Sequence, residues 1–161
     1  MTPSPARVTI GRESPLGADL DLLFERHRQD MFADTPPESI HMLPREALLD
    51  PDISFFVLRE QGRAVAMGAL KRIAPDHGEI KSMHVLAEAR GQGHSRRMLM
   101  ALIEQARALG MTRASLETGV QPTFEAARAL YARAGFSVCE PFGDYVPDPN
   151  SLFMTLQLVD A

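Results

Sequence analysis

Six consecutive residues, Arg90-Gly91-Gln92-Gly93-His94-Ser95, constrain this chain more than any other stretch. Before them, Ile80-Lys81-Ser82-Met83-His84-Val85 is short and alternating, as a strand should be. After them, Met98, Leu99, Leu102, Ile103, Ala106 and Leu109 recur at helical spacing. The six residues therefore join a strand to a helix. Two glycines let the backbone come close to a ligand, and the first turn of the helix offers free N–H groups backed by the positive end of its dipole. This makes an anion site, most naturally for phosphate, with Arg90, Arg96 and Arg97 adding guanidinium groups suited to phosphate oxygens.

Two common nucleotide motifs do not fit. A nucleoside-triphosphate loop needs a Lys that is missing here, and a dinucleotide fingerprint needs a third glycine where Arg96 stands. The loop instead resembles the Arg/Gln-x-x-Gly-x-Gly/Ala segment of the GNAT superfamily of N-acetyltransferases, with Arg90, Gly93 and Ser95 at its fixed positions. Ser95 departs from the usual Gly or Ala, and its hydroxyl is expected to cap the helix or touch a phosphate. Downstream, Leu130-Tyr131-Ala132-Arg133-Ala134-Gly135-Phe136 is similar to the Leu-Tyr-x-x-x-Gly-Phe signature of the same superfamily. Phe124 replaces an Asn often found seven residues before that Tyr.

The resemblance implies acetyl-coenzyme A as cosubstrate. The segment 90–95 (Arg90, Gly91, Gln92, Gly93, His94, Ser95), helped by Arg96, would wrap its pyrophosphate. The strand carrying Met83, His84 and Val85 would offer backbone groups to the pantetheine arm, and Phe124 and Tyr131 would lie along the cofactor. It further implies a fold in which antiparallel strands precede a parallel crossover whose two strands splay apart, here 79–85 and 112–118.

The rest of the chain reads compatibly. Its 161 residues, 45% hydrophobic, suit one domain over 1–161. Strands are expected at 7–10, 53–59, 63–72, 79–85, 112–118, 136–139 and 152–158, the second and third forming a hairpin about Gln61-Gly62. Helices are expected at 17–31, 44–49, 95–109 and 122–133, with turn-rich breaks at 34–39 and 141–150. The result is an α/β mixed sheet, mostly antiparallel and flanked by helices. One cysteine excludes an internal disulfide, and a net charge of −4 without a basic stripe argues against nucleic acid. Neither a long apolar run nor a leader pattern is visible, so a cytoplasmic location away from membranes is expected, with homodimerisation left open. His27, His41, His77 and His94 lack metal-ligand spacing, and no metal is expected.

The implied chemistry is attack of a neutral amine on a thioester, which needs a proton acceptor for the amine and a donor for the departing sulfur. The resemblance makes Tyr131 the acid. Glu79 at the start of one splayed strand, Glu117 near the end of the other and His84 remain candidate bases, beside the absence of any dedicated base. Glu79 could instead pair with Lys81, and Glu117 with Arg113 or Arg128. Cys139 reads as a packed thiol. The variable segments 33–43 and 141–151 are expected to select the acceptor, with Glu38 or Asp144 and nearby aromatic rings holding a cationic amine. A small-molecule amine is the expected acceptor; a protein amine, or a non-catalytic acyl-coenzyme A sensor, are the alternatives.

Overall fold

The computed structural model describes residues 7–158. Seven strands form one sheet: β1 (Val8–Arg12), β2 (Ile53–Glu60), β3 (Arg63–Ala74), β4 (His77–Val85), β5 (Arg113–Gly119), β6 (Ser137–Val138) and β7 (Ser151–Gln157). Their spatial order is β1-β2-β3-β4-β5-β7-β6. Every neighbouring pair is antiparallel except β4 and β5. The expected mixed sheet with one parallel pair is therefore what the chain forms. The last strand in sequence, β7, inserts between β5 and β6.

Two helices cover opposite faces. Helix α1 (Asp21–Asp34) lays Phe24 on Phe55 of β2, with ring centroids 5.8 Å apart. Helix α2 (His94–Ala108) buries Met98, Leu99, Leu102, Ile103 and Ala106, each large aliphatic side chain contributing about 1.5–3 kcal/mol by leaving water. It approaches β3 so closely that a Cβ on Gly68 would lie 2.8 Å from Met98 Cγ. The third helix, α3 (Glu125–Arg133), is introduced by a 3-10 turn, Pro122–Phe124, with Pro122 where a missing N–H costs nothing. Short 3-10 turns also replace two expected helical pieces, at Ala18–Leu20 before α1 and at Arg45–Leu49. The strand expected at 136–139 shrinks to Ser137–Val138, because Phe136 N–H closes the end of α3 on the Tyr131 carbonyl. Cys139 follows that strand, partly buried instead of sealed in the core. No helix among the described residues is long and apolar enough to cross a membrane.

The feature that makes a site is where β4 leaves β5. Their parallel ladder runs from His77↔Arg113 to Ile80↔Leu116 and stops. On its other side β4 continues against β3 as far as Val85↔Ala66, but with a bulge: Ala69 faces Lys81, the next pair is Met67 with His84, and Gly68 therefore opposes both Ser82 and Met83. Ser82 takes the left-handed region, φ 56°, which bends the strand. From Lys81 onward, the edge of β4 turned toward β5 has no strand partner.

Candidate active site

The cleft opened by this splay is lined by β4 from Glu79 to Met83, by Glu117 and Thr118 of β5, and by Phe124, Ala127 and Tyr131 from the α3 region. Helix α1 contributes His27 and Met31, the following segment His41, Met42 and Leu43, and the loop before β7 Tyr145.

At one end lies the glycine loop. Gly91 and Gly93 have φ of +79° and +80°, a region costly for side-chain-bearing residues. A Cβ on Gly91 would meet nothing within 4 Å, so the loop surface there is open to a ligand. Gly93 is the N-cap of α2 and no side chain bonds the free N–H groups of the first turn. The expected Ser95 cap is therefore absent: the helix begins at His94, one residue before expectation, and Ser95 already lies inside it.

Two other loop residues also turn out differently. The His94 side chain is buried, and its Nε2 bonds Glu60 Oε2 at 2.9 Å while Nδ1 accepts from Arg97 at 3.1 Å. That pattern puts the proton on Nε2 and makes His94 a peg for the loop, not a ligand-facing side chain. Arg97 also donates to the Gln92 carbonyl at 2.7 Å. Arg90 donates to the Val85 carbonyl and to Asp30, both at 3.1 Å, which ties the loop to β4 and α1. Gln92 and Arg96 are exposed. The cradle thus consists of backbone N–H groups with Arg96 beside them. Coenzyme A fits these donors: an open glycine loop and an uncapped helix start for its pyrophosphate, and a free strand edge at Met83–Val85 for its amide-bearing arm. The His84 ring points away from that edge to His27 of α1, edge to face at 5.3 Å. Burial holds both imidazoles at a pKa of about 4, so both are neutral near pH 7 and weak as proton acceptors.

At the other end, Tyr131 is buried, and its hydroxyl reaches only the Met83 sulfur, at 3.9 Å. Burial first, then the Glu117 charge, push its pKa up to about 12, so the phenol keeps its proton. Glu79 is buried and accepts from Tyr145 at 2.5 Å and from Lys81 at 3.0 Å. Lys81 also donates to the Tyr145 hydroxyl at 3.0 Å. Glu117 has neither expected partner, since Arg113 donates to Thr155 and Arg128 to the Gly119 and Gln121 carbonyls. Burial raises its pKa above the usual carboxylate value.

Tyr145 is the residue the sequence reading undervalues. It sits 66 positions from Glu79, and no spacing links them. Phe142 and Phe153 pack on its ring at 5.2 and 5.3 Å and His41 edge-on at 5.0 Å, folding the loop back over the sheet. Asp144 and Glu38, expected to hold an amine, are exposed and do not line the cleft. No group of three His, Cys, Asp or Glu among the described residues could hold a metal ion.

Comparison with known proteins agrees with this geometry. Residues 20–136 match the acetyltransferase (GNAT) family model. The chain is similar to the uncharacterized N-acetyltransferase YsnE of Bacillus subtilis, 44% identical over 88% of this chain and 94% of that protein. It is similar at 44% identity to an IAA acetyltransferase of Azospirillum brasilense, over 91% of this chain and 95% of that one. Its fold matches the PaiA N-acetyltransferase of Thermoplasma acidophilum solved with coenzyme A, with a TM-score of 0.70, 16% identity, and 94% and 99% of the two chains covered. A glycine loop on an uncapped helix, a splayed parallel pair and these matches together make the chain an acyltransferase of the GNAT family.

Proposed function

We propose that this protein transfers the acetyl group of acetyl-coenzyme A to the primary amine of a small molecule by direct attack, with Tyr131 as general acid and Glu117 as proton acceptor. The observation that carries this reading is the state of Tyr131. A buried phenol that keeps its proton, with only a thioether for a partner, lines the cleft between the splayed strands, which supports a proton-donor role. The coenzyme A in the Thermoplasma structure supports the cosubstrate. Acetyl-coenzyme A supplies an activated acyl group whose carbon–sulfur bond breaks as the amide forms.

The two strand carboxylates take different parts. Both donors on Glu79 converge on one oxygen, Oε2, and fix it within a three-membered network. Glu117 has no cation within ion-pair distance among the described residues, and burial raises its proton affinity toward that of a useful base. Glu117 therefore receives the ammonium of the acceptor and takes its proton, and Tyr131 delivers a proton to the departing sulfur. That Glu117 and Tyr131 line the same cleft supports this pairing of roles.

The test is turnover with acetyl-coenzyme A and a panel of small amines, read by free-thiol release and product mass. Tyr131→Phe keeps the ring but removes the proton, and is expected to lower kcat at least about tenfold, roughly 1.4 kcal/mol of barrier, with cofactor affinity retained. Full activity in that variant refutes the acid role. A wild-type protein that binds acetyl-coenzyme A and acetylates no amine refutes the function.

A further inference from the structure

We propose that the acceptor is an α-amino acid with an apolar side chain, held with its ammonium on Glu117 and its carboxylate on Lys81; this rests on the amine-acetylation reading above. The argument begins with register. Glu79 and Ser115 are side by side in the parallel ladder, so Lys81 and Glu117, two residues further along each strand, project from that same face. They come just beyond Ile80↔Leu116, the last pair before the strands separate. A cation and an anion that regular pairing would bring together thus face each other across a gap. They do not bond: Lys81 is held by Glu79 and Tyr145, while it acts on Glu117 only through space.

Each charge is left with something to receive. An ammonium has three N–H donors, and Glu79 and Tyr145 take two of those on Lys81. The Lys81 side chain is only 11% exposed, so its third donor has little water to satisfy it. Glu117 is a half-buried carboxylate with no cation within ion-pair distance among the described residues, and burial disfavours its charge until one arrives. A plain amine satisfies Glu117 alone. An α-amino acid satisfies both, because its ammonium and carboxylate sit on one carbon and reach opposite walls of the gap. Orientation follows from the chemistry: the nitrogen lies on the Glu117 side, toward Tyr131, and the carboxylate on the far side. The Glu79–Tyr145 clamp holds Lys81 still before the ligand binds, as recognition of a small anion requires. On the side of α1 and the segment after it, Met31, Met42 and Leu43 line the cleft together with His27 and His41, and the three apolar side chains favour an apolar substituent.

The experiment compares matched pairs on the intact protein: leucine against isoamylamine, and phenylalanine against phenethylamine, which differ only by the carboxylate. Acetylation is read by product mass and thiol release. The amino acid of each pair is expected to show kcat/KM about 100-fold higher, the scale of a buried charge-assisted contact. Lys81→Met is expected to shrink that preference to below about tenfold, and Lys81→Arg to keep most of it. Lys81→Met strands Glu79, so a Lys81→Met/Glu79→Gln double variant repeats the test with the clamp neutral; the wild-type comparison depends on no variant. Amines acetylated as well as their amino acids overturn the inference and leave amine acetylation intact. Binding of acetyl-coenzyme A with turnover of neither member overturns both.

Discussion

Acidification should weaken this protein through the packed pair of half-buried His27 and buried His84, and the size of the loss follows from their surroundings. Both imidazoles have a pKa of about 4 where an exposed one has 6.5. For His27 the causes are burial and then repulsion by His84, against a smaller opposing effect of Asp30. For His84 burial again leads, Asp30 opposes, and Arg90 and Arg26 add to the lowering. The unfolded chain therefore binds protons that the folded one refuses, so stability present above the ordinary histidine pKa is lost as pH falls toward about 4. Between about pH 7 and about pH 5 each such group costs roughly 2 kcal/mol. Replacing His84 by Leu keeps an apolar filling, and it sacrifices little bonding because Nε2 has no partner and Nδ1 lies 3.9 Å from Asp30. It removes the proton-binding site and the charge that helps depress His27. Glu117, whose raised pKa works in the opposite sense, is present in both proteins and cancels. The measurement is urea denaturation of wild type and His84→Leu at the two pH values. The variant should lose at least about 2 kcal/mol less on acidification. Equal acid losses in the two proteins would refute the claim that a neutral, buried His84 carries this sensitivity.

Three further outcomes are expected. Ser95→Ala should leave cofactor affinity within about twofold and change stability by no more than about 0.5 kcal/mol, because Ser95 is a helical residue and not a cap; a loss above about 1 kcal/mol in thermal or chemical unfolding would contradict that. His94→Ala should destabilise by about 1–3 kcal/mol and weaken acetyl-coenzyme A binding, measured by calorimetry, because it removes the bonds to Glu60 and Arg97 that peg the glycine loop. Gly119→Ala should cost about 1–3 kcal/mol, since the added carbon would lie 2.5 Å from both Gln121 Oε1 and Phe124 Cδ2; a neutral result in unfolding experiments would show that these side chains yield freely.

The sequence by itself determined the parts whose cause is local. Helical spacing and two glycines define α2 and the loop before it, because an amphipathic period and a left-handed turn are written in adjacent residues. The hairpin about Gln61-Gly62 and the parallel crossover from β4 to β5 follow from the same kind of signal. Tertiary structure decided the rest. Nothing in a serine marks Ser82 as a left-handed bulge; the register imposed by β3 makes it one, and that bulge frees the edge of β4. Glu79 and Tyr145 meet because aromatic packing folds a loop 66 residues away back over the sheet. In sequence His94 is one more residue of the loop expected around the pyrophosphate; its side chain is an inward peg, because its rotamer is set by Glu60 on a strand 34 residues earlier. Residue types and short spacings announce which chemistry is available, but which carboxylate is clamped and which left open depends on contacts between segments that only packing brings together.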